Sequence, residues 1–293
     1  MELVFIGFGE AAFHIASGLR AEHDIQLGAY DAFKDDQKAG PLIVQRAAQA
    51  QVTLFQTLEQ ACATAQFIVC LTSASSALEL ARTILPLLKE GQHYLDMNSA
   101  APTVKQAIEQ LPRSAGVDYA DIAVMGTVPG NDHRVPMLLA GSAARAFEKA
   151  FTPLGMRLTV LDAEPGAASA IKMLKSVVMK GLAQLFLESF VAANRFGVLD
   201  TLVASLGDSL DGKSVEQLAN TFSARTLIHA KRRGTEMDDV VATLEALGVD
   251  ASMSLATCER LKKLAERDWA TLLGPHGSEL DYRAAIAQLS TQP

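Results

Sequence analysis

The residues best suited to chemistry sit in one apolar stretch, SAIKMLKSVVMKG, at 169–181. Lys172, Lys175 and Lys180 stand there among Ile171, Met173, Leu174, Val177, Val178 and Met179. At about 100° per helical residue, Lys172 and Lys175 share a face with Met179 one turn on. Lysines on a mostly apolar helix have two explanations. The side chain snorkels, laying its methylenes on apolar surface and its charge in water. Alternatively it is a general acid or base, its charged form disfavoured by the surroundings so that its pKa approaches neutrality. Lys175 would then depress the pKa of Lys172 by like-charge repulsion or bind an anionic substrate group. Its plain alternative is a solvated lysine.

A second set of residues points to a nucleotide. GFGEAA, at 7–12, fits G-x-G-x-x-G/A, follows an apolar run and opens a helical pattern. Gly7 permits a tight turn, and Gly9 lets the backbone approach a pyrophosphate resting on the helix N-terminus beside Phe8, Glu10 and Ala11. Ala12 permits close packing of helix on strand. Asp31 ends the next strand about twenty residues on, where it accepts hydrogen bonds from a ribose 2′-hydroxyl and repels a 2′-phosphate. That favours NAD, while Lys34 and Lys38 leave NADP open. Thr72 and Ser73, in LTSASS, close a buried strand where they would touch the cofactor; Ser73 or Ser75 as a helix cap is the competing reading. DMNSAAP, at 96–102, ends another strand. Its Asn98 and Ser99 are short polar groups suited to orienting a carboxylate or hydroxyl, and Pro102 starts a helix with Ser99 or Ala100 near its cap.

Those residues need a scaffold, and the first half of the chain supplies one. Apolar runs at 3–7, 25–30, 52–57, 66–72, 93–98, 121–125, 135–141 and 157–161 alternate with helical patterns. That alternation predicts parallel strands with helices on both faces, a doubly wound α/β sheet of the Rossmann type. After Asp162 the strand pattern stops. Pro165-Gly166 marks a helix start, and Gly197 a stop about 30 residues later. The sequence therefore divides into a dinucleotide-binding domain at 1–162 and an all-α domain at 163–293 built on a long interdomain helix.

Composition sets the outer bounds. Of 293 residues, 49% are hydrophobic and 20% charged, a globular balance. A net charge of -7 argues against nucleic acid or an anionic membrane as main partner. Three scattered cysteines, Cys62, Cys70 and Cys258, fit a reducing cytoplasm and form no zinc motif. His93, His133 and His276 have no metal-like spacing with any acid or cysteine, so no metal site is expected. The opening run is too short for a signal peptide or membrane span. Apolar stripes in the helical tail, LAQLFLESFVAA and LATCERLKKLA, predict a homodimer through that domain.

Taken in order, GFGEAA, DMNSAAP, DIAVMG and GAASAIKMLKS give the chain a family look. It resembles the β-hydroxyacid dehydrogenase superfamily, which includes 6-phosphogluconate and 3-hydroxyisobutyrate dehydrogenases. The tail resembles the branch with a phosphogluconate dehydrogenase-like C-terminal domain. The resemblance implies an NAD(P)-dependent oxidoreductase that moves hydride between nicotinamide and a small hydroxy acid or oxo acid. It implies Lys172 as the general acid/base facing an interdomain cleft, and Asn98, Ser99 and Gly126 around an anionic substrate. Lys175 and Ser176 stand where the family has Asn or His followed by Asn, and Met125-Gly126-Thr127 replaces its Ser-Gly-Gly loop. Neither named substrate is therefore assumed. Arg232, Arg233 and Glu236 form a cluster that would reach the cleft across a dimer interface, or else a solvated helix face. Two other functions remain in play: an imine reductase, an enzyme type that generally lacks the lysine, and a nucleotide-binding sensor without turnover.

Overall fold

A computed structural model describes residues 2–274, 276–277 and 281–291. The strands are β1 (Leu3–Ile6), β2 (Leu27–Tyr30), β3 (Thr53–Leu54), β4 (Phe67–Cys70), β5 (His93–Asp96), β6 (Asp118–Val124), β7 (Met137–Ala140) and β8 (Leu158–Val160). Between them run α1 (Glu10–Glu22), α2 (Gly40–Gln49), α3 (Leu58–Thr64), α4 (Ala77–Ile84), α5 (Pro102–Glu109) and α6 (Ala144–Phe151). The helical part comprises α7 (Ala167–Phe196), α8 (Leu199–Leu210), α9 (Val215–Ile228), α10 (Ala230–Ala246), α11 (Ser252–Ala265), α12 (Trp269–Leu273) and α13 (Tyr282–Ser290).

The eight strands form one sheet in the order β3-β2-β1-β4-β5-β6-β7-β8. The strand order reverses between β1 and β4, which places a ligand crevice at their carboxyl ends. Strands β1 and β4 are apolar throughout because both faces are buried. Leu3 and Phe5 of β1, with Phe67 and Val69 of β4, join one core. Val4, Ile6, Ile68 and Cys70 alternate onto the other face with Tyr94 and Tyr119.

One expectation needs correction. The strands are not all parallel: β6 pairs β7 antiparallel, with Asp121 opposite Ala140 and Val124 opposite Met137. The segment between them holds only a short 3-10 turn, Asp132–Arg134. Lacking a crossover helix, the chain turns back beside the strand it left. From β7 the α6 crossover restores a parallel pair with β8.

The chain divides into two compact units, one through Val177 and one from Val178. The sequence reading ended the first domain at 162, where strands cease. The sheet unit extends further because Ala167 and Ala168 pack against Ala123 and Ala140, fixing the start of α7 to β6 and β7. In the second unit Ala192 meets Val241, Leu244 and Ala251, and Ala224 and Leu227 meet Trp269 and Ala285. Ser214 and Gln217 cap α9 reciprocally. Among the described residues α7 alone is long and apolar enough to cross a membrane. Its Glu188 instead accepts from the Met253 and Ser254 N–H groups at the start of α11, and Arg195 donates to the Leu247 and Gly248 carbonyls.

Candidate active site at the carboxyl edge of the sheet

The glycine loop forms as its spacing requires. Gly7 ends β1 at φ +89°, and a Cβ there would lie 2.4 Å from Thr72 Cγ2 and 2.6 Å from the Leu71 carbonyl oxygen. The β1 and β4 turns touch at this glycine. Gly7→Ala is therefore expected to cost at least about 1–3 kcal/mol from backbone strain alone, read as a lowered Tm. Gly9 is different. It is the N-cap of α1 with no side-chain cap, and a Cβ built on it meets nothing within 4 Å. The first N–H groups of α1 thus open onto a space that a phosphate can enter.

Ile6, Gly7, Gly9, Asp31, Phe33, Leu71, Thr72 and Ser73 line a cavity of about 500 Å³. These residues fit the adenosine end of a dinucleotide. The buried Asp31 accepts from the Phe8 N–H at 2.7 Å and from the Phe33 N–H at 2.9 Å, so its carboxylate also shapes the glycine loop. Phe33 is 65% exposed beside it. Phe8, expected at the cofactor, instead buries its ring against Phe5, and its N–H is committed to Asp31. Glu10 is exposed in the first turn of α1 and Ala11 half-buried. Ser73 does cap a helical turn, accepting from the Ser76 N–H at 3.3 Å, while still lining the cavity. Lys34 pairs with Asp35.

Past β5 the chain places Asn98 and Ser99 differently from one another. Asn98, expected to hold substrate, is 2% exposed and serves as a brace. Its Oδ1 accepts from the Thr72 N–H at 2.6 Å, and its Nδ2 donates to Asp96 Oδ1 at 2.6 Å. Ser99 is exposed and accepts from Lys172 Nζ at 2.5 Å. These two residues, 73 positions apart, were selected from sequence on separate motifs, and the fold joins them. Ser99 is not the cap of α5: Ala101 holds that place and Pro102 the first turn. Burial pushes the Lys172 ammonium below the ordinary lysine range, the Lys105 charge adds to that, and Asp121 opposes it.

Lys105 escaped the sequence reading. It lies on α5 at 0% exposure, with Nζ donating to the Asp96 carbonyl at 2.8 Å and standing 3.2 Å from Asp96 Oδ2 and 3.3 Å from Asp121 Oδ1. Asp121 in turn caps α7. Its Oδ2 accepts from the Gly166 and Ser169 N–H groups, both at 3.0 Å, and its Oδ1 accepts from Ser169 Oγ at 2.6 Å. The signal that could have found Lys105 is a pair of aspartates inside apolar strands, which need a buried cation.

The remaining candidates have other surroundings or partners. Gly126 is exposed just beyond β6. Lys175 is exposed, and Ser176 Oγ donates back to the Lys172 carbonyl at 3.1 Å. In the second unit Arg232 pairs with Glu236 one turn on, and Arg233 donates to Thr226 at 2.6 Å. Glu22, His23 and His133 bring possible ligand atoms within 4.8 Å of one another, a grouping their sequence spacing does not suggest. Arg134 pairs with Glu22 Oε2, the oxygen 3.8 Å from His133 Nε2, so that carboxylate already has a cationic partner.

Comparison with known proteins adds a family to this geometry. Residues 2–159 match the NAD binding domain of 6-phosphogluconate dehydrogenase, and residues 193–264 match DUF1932, a domain of unknown function. A conserved hypothetical protein from Sinorhizobium meliloti 1021 is 31% identical, covering 99% of this chain and 96% of that one, with a TM-score of 0.61. A conserved protein of unknown function, whose structure is reported as similar to 3-hydroxyacid dehydrogenases, is 27% identical over 91% of this chain and 97% of that one, with a TM-score of 0.59. An imine reductase from Aspergillus terreus shares the fold at 18% identity, covering 98% of both chains with a TM-score of 0.72.

Proposed function

Since the chain belongs to the family carrying the NAD binding domain of 6-phosphogluconate dehydrogenase, we propose that it interconverts a small hydroxy acid and its oxo acid, with Lys172 as general acid/base. One observation carries this reading: Lys172 Nζ on Ser99 Oγ at 2.5 Å, at the carboxyl edge of the sheet. Bound NAD(H) would supply or accept the hydride. Lys172 gives a proton to the oxygen of the carbonyl being reduced and takes it back from the hydroxyl in oxidation. Ser99, already a partner of Lys172, orients that oxygen. The pH dependence follows in sign. Reduction needs the ammonium and declines as pH rises through the lowered Lys172 pKa; oxidation needs the free amine and rises over the same interval. A panel of hydroxy acids, run with NAD and with NADP while following absorbance of the reduced cofactor, tests the proposal. Turnover of none, beside a faster reduction of a cyclic imine indifferent to Lys172→Ala, would sink it in favour of imine reduction. That second reading rests on the shared fold. An iminium carbon accepts hydride without a proton donor to oxygen, which leaves the placement of Lys172 unexplained.

NAD is the favoured cofactor. The Asp31 carboxylate lines the cavity, and Lys34 is held by Asp35 rather than free for a 2′-phosphate. NADH should bind more tightly than NADPH, and Asp31→Asn should narrow the difference in calorimetric titration. Equal affinities in the unaltered protein would contradict this. We further propose a homodimer through the helical unit, where Val178, Met179, Leu187 and Phe196 are each more than half exposed. Light scattering giving a monomer mass at micromolar concentration would refute it.

A further inference from the structure

We infer that Lys105 is a positioning residue for this reaction: its buried ammonium ties the carboxyl end of β5 to the start of α7, holds Lys172 on Ser99 and presents a like charge to it. The inference rests on the reading of Lys172 as the acid/base.

Two arms leave Lys105. Through Asp96, the first reaches Asn98, whose N–H donates to Asp96 Oδ1 at 2.9 Å, and then Thr72 in the nucleotide crevice. Ser99 is the next residue along the chain. Through Asp121, the second reaches Gly166 and Ser169 at the start of α7. Lys172 lies one turn further on. Ser99 and Lys172 are thus each one step beyond an arm of the same buried cation. An apolar trio of similar shape would commonly be no less stable than buried charges. Stability alone therefore does not account for an ammonium at 0% exposure between two acids. A charge behind Lys172 does account for it, because a proton donor and acceptor needs its ammonium form weakened.

The charged surroundings are few. Lys172 faces Lys105 on α5 and Asp121 on β6, with the exposed Lys175 on its own helix. Lys105 faces Asp96 and Asp121. Tyr119 lies within electrostatic reach of both acids and of Glu109, Cys70 within reach of Asp96 and Lys105, and Tyr94 within reach of Asp96; Glu109 is paired with Arg113 at 2.9 Å.

The test is competitive labelling of the folded protein's lysines with acetic anhydride across pH, read peptide by peptide, alongside the pH profile of kcat. In the unaltered chain Lys172 should titrate below the ordinary lysine range. In Lys105→Met the Lys172 titration should move to higher pH, its labelling at pH 8 should slow several-fold, and the kcat profile should move the same way. Labelling of Lys175 should not change. Asp96→Asn/Lys105→Met removes one acid with the base and is the variant to use if the single one does not fold. A folded variant with reduced Tm but an unmoved Lys172 titration and pH profile would reduce Lys105 to a structural role and overturn the inference. Lys172 titrating in the ordinary lysine range in the unaltered protein overturns it whatever the variants do. Failure of the acid/base reading itself is separate: Lys172→Ala would then keep full turnover on the same substrate.

Discussion

Lys172→Ala is expected to lower turnover by about a hundredfold or more, the scale of losing a positioned general acid/base. Cofactor affinity should barely change, because the nucleotide cavity is lined from the ends of β1, β2 and β4, without Lys172. Lys172→Arg should not restore the rate. A guanidinium keeps its proton throughout the working range and cannot shuttle it. Lys175→Ala should behave differently, since that side chain is exposed. It raises KM if Lys175 gathers an anionic substrate group, and leaves kcat largely intact. The variants must be compared on one substrate with folding checked by circular dichroism. Near-normal turnover in Lys172→Ala with loss in Lys175→Ala would move the catalyst one turn along the helix.

Gly9→Val should abolish nucleotide binding and leave the fold in place. The backbone at Gly9, φ -73° and ψ -166°, is extended and open to any residue. A Cβ there meets no protein atom within 4 Å, so the added side chain contacts only what approaches the start of α1. A fall in NADH affinity of about a hundredfold or more, ~2.7 kcal/mol, is expected with Tm nearly unmoved. Gly7→Ala supplies the contrast, because that glycine answers to Thr72 and Leu71 rather than to a ligand. Unchanged calorimetric affinity in a folded Gly9→Val protein would remove the phosphate from α1.

Much of this site was legible from local pattern. A glycine turn between an apolar strand and a helix, with an acid at the next strand end, constrains a single βαβ unit, and Gly7, Gly9 and Asp31 fall together in one cavity. Ser99 and Lys172 were each read from a separate motif. What stayed hidden depends on contacts between distant segments. The β6–β7 reversal leaves no periodic trace, since an antiparallel strand buried on both faces reads like a parallel one. Lys105 lies in PTVKQAIEQ, where a lysine beside Gln106 reads as solvated; its burial comes from Asp96 and Asp121 on two other strands. Asn98 reads as a substrate group from its polar type and its motif, and Phe8 as a cofactor contact from its place in the glycine loop; hydrogen bonds to Thr72 and Asp96 commit the first, and packing on Phe5 buries the second.

The Asp96–Lys105–Asp121 trio also limits how this sequence can drift. Loss of Lys105 alone strands two buried carboxylates, whereas joint replacement of Asp96 and Lys105 by neutral groups removes one charge of each sign together. Asp121 is further pinned by its cap on α7. Single-step substitutions at these three positions should therefore be strongly epistatic. Viable departures would have to pass through paired changes at Asp96 and Lys105 while Asp121 stands still. In a deep mutational scan Lys105 and Asp121 would look intolerant one at a time, and only the pairwise library would show that Lys105 becomes replaceable once Asp96 is neutral.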